Sequence, residues 1–131
     1  SDATLNSGGV RIGTAEIYRV VDAMDEISES IVVGRRVEFD TEIVLFVVPA
    51  AGVVLDDELS ARIRKVLRER TSPRHVPAQI VAVPAVPRTV TGKLAELAVT
   101  DIVNGDAVRN TSGLANPQSL EAISRWAVSS D

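Results

Sequence analysis

Three segments of this sequence hold residues whose types and spacing could do chemistry. The first is Gly8-Gly9-Val10-Arg11-Ile12-Gly13-Thr14-Ala15-Glu16-Ile17. Its glycines let a backbone approach a ligand or another domain closely. Arg11 offers a planar fork of donors for phosphate or carboxylate, and the segment runs into a helix start, a weak anion site. Its spacing does not give G-x-G-x-x-G. On composition alone, a hairpin turn with Arg11 on a solvated face is the better account. The second segment is Pro84-Ala85-Val86-Pro87-Arg88-Thr89-Val90-Thr91-Gly92-Lys93. A phosphate loop would need a glycine where Pro87 stands, so that reading fails. What remains is Lys93 on a proline-bracketed loop, a compact ammonium on a flexible stem that can reach into a partner's active site. An ordinary surface lysine beside a turn glycine explains the same residues. The third, Arg62-Ile63-Arg64-Lys65-Val66-Leu67-Arg68-Glu69-Arg70, could meet phosphates. It also has acid partners at helical spacing, Glu58 for Arg62 and Glu69 for Lys65, which favours a solvated, ion-paired face. His75, between prolines and an arginine, reads as structural and makes no metal cluster by itself.

The elements that must position these residues follow from periodicity. Two short extended pieces flank the turn Asn6-Ser7-Gly8-Gly9 within residues 3–12. Ile17, Val20, Val21 and Met24 give a helix over about 14–24. Ser30 to Val33 reads as a strand. Ile43 to Val48 is an unbroken apolar run, as expected of a strand buried on both faces. A helix over about 56–70 opens on acids, closes on bases and buries Leu59, Ile63, Val66 and Leu67. Ile80 to Val83 is a short strand, and a helix over about 94–104 stops at Gly105. Residues 106–115 are turn-rich. Asn116-Pro117 reads as a cap and first-turn proline for a last helix over about 117–127. The expected class is α+β: a small central sheet covered by helices, with a short N-terminal hairpin.

Composition narrows the options. The 131 residues suit one domain, and 45% apolar content argues against disorder. Aromatics make up only 3% and the formal charge is −4, which disfavours a nucleic-acid partner. There are no cysteines, hence no disulfide framework and no thiolate metal site; this suits a cytoplasmic location. No apolar stretch approaches membrane-spanning length, and no signal pattern opens the chain. A start at Ser1-Asp2-Ala3 reads as a domain cut from a longer chain, or a processed or engineered end.

Taken together, two of the segments resemble the C-terminal domain of the adenylate-forming superfamily of acyl-CoA synthetases, adenylation domains and luciferases. There a G-x-R-I-G-x-x-E-I motif opens the domain and P-[KR]-T-x-[ST]-G-K lies near its end. Here they stand as Gly9 to Ile17 and Pro87 to Lys93, in the same order and at a matching separation. The tail Leu97-Ala98-Val99, Asp101 to Gly105, Arg109-Asn110-Thr111 and Leu114 to Pro117 resembles the C-terminal extension of acetoacetyl-CoA synthetases, over residues 106–131. Gly13 to Tyr18 and Ser72 to Pro77 are similar too. The resemblance covers essentially the whole chain, 1–131. It aligns Asp2 with the family's hinge position, although the Gly-Arg that normally precedes it is absent.

The resemblance implies an acid–thiol ligase. ATP and acetoacetate give an acyl-adenylate and pyrophosphate; the small lid domain then swings about the hinge, and CoA takes the acyl group. By position, Lys93 is similar to the adenylation lysine and Arg11 to the arginine near the nucleotide phosphates. Gly9 matches the small residue beside the pantetheine tunnel, and Arg68 a basic residue near the CoA nucleotide. Gly92 would let the lysine loop turn tightly. ATP and CoA are implied as substrates, with Mg2+ held mostly by a large N-terminal domain of the same polypeptide. That domain would also set acyl specificity. Lys93 becomes a candidate for acetylation, which would remove its charge. The alternatives are another short-chain synthetase, for acetate or propionate, or a non-catalytic binding module that keeps the fold. The tail argues against the first, and retention of both Lys93 and Arg11 against the second.

Overall fold

The computed structural model describes residues 4–109 and 111–130. The Gly8-Gly9 pair joins β1 (Thr4–Ser7) to β2 (Val10–Gly13) in an antiparallel hairpin. Both glycines have positive φ, +58° and +77°, as a two-residue turn matching the twist of its strands requires. Helix α1 (Thr14–Asp22) follows at once, then β3 (Ile27–Val37), β4 (Asp40–Pro49), α2 (Asp57–Arg70), β5 (Gln79–Ala82), α3 (Glu96–Val103) and α4 (Leu120–Ser129). The class is α+β, as expected.

The central sheet has the order β3-β4-β5, with β3 antiparallel and β5 parallel to β4. A parallel pair needs a crossover, and α2 supplies it. Its N-cap Asp56 accepts from the Leu59 amide at 2.8 Å. The apolar run is the middle strand, with Ile43 to Val47 all buried. Side chains alternate across it. Ile31, Val33, Val44 and Phe46 meet Ala98, Val99, Leu120 and Ile123 of α3 and α4. Val32, Ile43, Leu45 and Val47 meet Ile17, Val21, Leu59, Ile63 and Leu67 of α1 and α2, together with Ile12 of the hairpin. The domain therefore has two cores, one on each face of the sheet. Trp126 docks α4 edge-on against Phe46, with centroids 5.4 Å apart, and lies 4.9 Å beneath the Arg35 guanidinium.

The expected short strand over 30–33 is a far longer β3, paired with β4 in a hairpin from Val37↔Asp40 to Ile27↔Pro49. Charged residues hide its outer half, and cross-strand pairing satisfies them: Arg35 faces Glu42 in a 2.6 Å ion pair. On the expected ion-paired face of α2, Arg62 binds Glu26 instead of Glu58, at 2.5 Å. Arg64 donates to the carbonyls of Pro77 and Ala78, both at 3.2 Å. The last helix starts at Leu120 behind a 3-10 turn, Pro117–Ser119. Asn116 makes no side-chain cap there.

The free edge of β3 is covered, as an exposed strand edge must be if it is not to recruit other chains. The Tyr18 hydroxyl accepts from the Val32 amide at 3.0 Å. The Asn104 side chain accepts from the Arg36 amide (2.8 Å) and donates to the Gly34 carbonyl (3.1 Å).

Candidate functional site

The hairpin segment is anchored at both ends of its turn. Ile12 is buried in the α1–α2 core, while Gly9, Val10 and Arg11 are exposed. The Gly8 amide donates to both carboxylate oxygens of Asp40, at 2.9 and 3.1 Å, so the first hairpin is tied to the tip of the second. The Thr41 and Gly8 amides hold the Asp40 carboxyl below its ordinary range. Arg74 also lies against the turn: a Cβ on Gly8 would sit 2.0 Å from its Nη1, whereas one on Gly9 would meet nothing within 4 Å. Gly9 thus presents bare backbone outward. Glu16 reaches His75 Nε2 at 3.8 Å, and His75 Nδ1 shares a 2.7 Å hydrogen bond with Ser72. The structural role expected of His75 is visible in that contact.

The lysine segment is rooted in the other core, through Val86 and Ala95. It is more ordered than a proline-bracketed loop suggests. Arg88 and Leu94 form an antiparallel bridge, and Thr89 bridges to Leu114. Within the turn, the Thr89 amide donates to the Lys93 carbonyl (2.8 Å), and the Gly92 amide to the Thr89 carbonyl (2.9 Å). Gly92 has φ +87°, a backbone conformation that glycine adopts without a steric penalty. Arg88 braces it: Nη1 donates to the Gly92 carbonyl at 2.9 Å and Nη2 binds Glu29 at 2.7 Å. Asn116 completes the brace, accepting from the Arg88 amide (2.8 Å) and donating to the Val86 carbonyl (3.0 Å). That is where its expected capping capacity goes. Lys93 itself is exposed, and no ion pair holds its amine among the described residues.

Behind Lys93, Glu96 opens α3 and accepts a short hydrogen bond from the Tyr18 hydroxyl. Burial, then that hydrogen bond, pushes the Tyr18 pKa well above its ordinary value. Sequence reasoning missed Tyr18, Glu96 and Glu29, and did not foresee the bracing contacts of Arg88 and Asn116. Their partners lie up to 78 residues away, and no local pattern announces such contacts.

The structure therefore brings Gly9 and Arg11 together on one hairpin, and Gly92 and Lys93 together on one turn. It roots the two motifs in cores on opposite faces of the sheet. Arg68 is exposed on α2, on the hairpin's side. Asp2 lies outside the described residues. Among the described residues no group of three or more His, Cys, Asp or Glu is placed to hold a metal ion. No helix among them is long and apolar enough to cross a membrane.

Residues 16–93 match the AMP-binding enzyme C-terminal domain family. The chain is similar to an acetoacetyl-coenzyme A synthetase of Rhizobium meliloti (strain 1021), 54% identical over 92% of this chain and 19% of that protein. It is also similar to an acetoacetyl-CoA synthetase of Caenorhabditis elegans, 51% identical over 92% of this chain and 18% of that protein. The solved acetoacetyl-CoA synthetase from Streptomyces lividans superposes with a TM-score of 0.83 at 36% identity, over 98% of this chain and 20% of that one. An acyl-CoA synthetase of Brucella canis superposes at 0.66 and 26% identity over 70% of this chain and 17% of that one. The chain thus spans about a fifth of the length of these relatives. The family match begins at the glutamate that meets His75 and closes on the lysine of the braced turn, and with it this chain belongs to the AMP-binding enzyme C-terminal domain family.

Proposed function

We propose that this chain is the C-terminal lid domain of an acid–thiol ligase that joins acetoacetate to CoA through an acyl-adenylate. The observation that carries the reading is the Lys93 turn: an exposed ammonium, without an ion pair among the described residues, on a backbone pinned from both sides. Similarity to acetoacetyl-CoA synthetases over 92% of the chain supports the choice of acyl group.

In the first step a carboxylate oxygen of acetoacetate attacks the α-phosphorus of ATP and pyrophosphate leaves. Negative charge spreads over the phosphoryl oxygens, and a protein contributes mainly by positioning and positive charge. Two unit charges about 4 Å apart interact by roughly 4 kcal/mol at an effective dielectric of about 20. Lys93 supplies that charge, and Arg11 a second donor to the nucleotide phosphates. In the second step the CoA thiol attacks the acyl carbon and AMP leaves. Gly9, with no side chain in the way, borders the path of the pantetheine arm, and Arg68 meets the CoA nucleotide. Asp2 serves as the hinge. Residues 106–131 are the extension typical of acetoacetate-activating relatives. The large domain of the same polypeptide supplies the acyl pocket, and any Mg2+ that accompanies ATP is bound there.

The test is acetoacetate-dependent ATP–pyrophosphate exchange by the full-length enzyme. Lys93→Ala should lower its rate by about two to three orders of magnitude, the scale of losing one transition-state charge partner. Exchange that is unaffected by Lys93→Ala, or driven as well by acetate or propionate as by acetoacetate, would contradict the reading.

A further inference from the structure

We infer that Tyr18 is a positioning residue for Lys93, acting through Glu96; this rests on the proposed role of Lys93. Tyr18 lies on α1, directly after the hairpin that carries Gly9 and Arg11. Its hydroxyl crosses the free edge of β3, accepting from the Val32 amide at 3.0 Å and donating to Glu96 Oε2. Glu96 is the first residue of α3, three positions after Lys93. That helix start has no side-chain cap of its own, because Ala95 occupies the cap position. The Ala95 amide donates to the Pro87 carbonyl at 2.9 Å, closing the base of the lysine turn.

The turn is therefore clamped at two places. Arg88, Glu29 and Asn116 hold its front. The Tyr18–Glu96 bond holds its rear, where the chain passes into α3. The two clamps are not equivalent. Arg88 and Asn116 bind the turn's own backbone, so their loss also disturbs the fold. Tyr18 donates one proton to a side chain that is itself half-exposed, while α1 stays in place through Ile17 and Val21, both fully buried. Removing the hydroxyl should therefore loosen the launch of α3 and the direction of the Lys93 stem; it also takes the acceptor from the Val32 amide, which Glu96→Ala leaves in place. Positioning of this kind matters because a displacement of about 1 Å in a charge-donating group can cost on the order of a hundredfold in rate.

The experiment uses the full-length enzyme with Tyr18→Phe, Glu96→Ala and Glu96→Gln, and Lys93→Ala alongside. Tyr18→Phe and Glu96→Ala should each lower kcat for pyrophosphate exchange about five- to twentyfold with KM for ATP changed less than threefold. Thioester formation from supplied acetoacetyl-adenylate should stay within twofold of the parent. Glu96→Gln keeps an oxygen that accepts from Tyr18 and should remain within threefold of the parent in both steps. Glu96→Ala removes only a half-exposed side chain, so it keeps the test valid if Tyr18→Phe folds poorly. Equal losses in both steps, no loss in either, or Glu96→Gln as damaged as Glu96→Ala would overturn the positioning role. If Lys93→Ala slows exchange and Tyr18→Phe does not, this inference fails alone. If Lys93→Ala leaves exchange intact, the functional reading fails and takes this inference with it.

Discussion

At the scale of single residues, the informative groups are those whose charge is either spent or left free. Asp101 is spent: its carboxylate is buried and accepts from the Arg109 backbone amide (3.1 Å), Nε (3.0 Å) and Nη2 (2.9 Å). Arg109 holds its carboxyl below the ordinary carboxylate range. A lowered folded-state pKa contributes stability above the unfolded value of about 4, and that contribution disappears as pH falls through the folded value. Asp101→Asn should therefore cost about 1–3 kcal/mol at neutral pH, since hydrogen bonds to a charged group are worth that much and Arg109 remains partly solvated. The melting-temperature gap between variant and parent should narrow as pH falls toward 3; a gap that is constant with pH would count against the ion pair as its cause. Lys93, by contrast, has no ion pair among the described residues. On residue type it is an ordinary lysine after a glycine, and its meaning came from a family motif. The clamp that aims it was illegible, because Tyr18 and Glu96 are unremarkable residues far apart in the chain.

At the scale of elements, what was legible was what periodicity encodes. The apolar run from Ile43 announced the middle strand, and the stripe Leu59, Ile63, Val66 and Leu67 announced α2, although Val66 is only half-buried. The outer halves of β3 and β4 were hidden, because pairing across a hairpin replaces burial as the reason they are strands, and Arg35 with Glu42 looks polar until the register is known. Gly34 is another feature that only packing explains. It is buried in the middle of β3, and a Cβ there would come within 2.7 Å of Thr41 Cγ2 and 3.2 Å of Leu5 Cδ2. Its missing side chain is what lets β1 lie down on the sheet. Gly34→Ala should therefore push β1 outward and cost about 1–3 kcal/mol, the usual scale of overpacking. Chemical-shift or amide-exchange changes should concentrate in residues 4–13. A stable variant with an unperturbed hairpin would show that the close approach of Leu5 is unimportant.

At the scale of the whole molecule, the sheet separates two cores. The hairpin with Gly9 and Arg11 grows from the α1–α2 core and the Lys93 turn from the α3–α4 core, and in the proposed reading each serves one half-reaction. Alternation between two poses is the central claim, and the comparison of both half-reactions in the full-length enzyme tests it most directly. Lys93→Ala should slow pyrophosphate exchange by about a hundredfold or more, and leave thioester release from synthetic acetoacetyl-adenylate much less affected. Gly9→Leu should do the reverse, because its side chain would stand in the thiol's path, in space that is open in the free domain. The strain of a leucine at φ +77° is about 1–2 kcal/mol and is read separately from the melting temperature. Opposite losses in the two variants are the predicted result; equal damage to both steps by both substitutions would contradict the division of labour between the two faces.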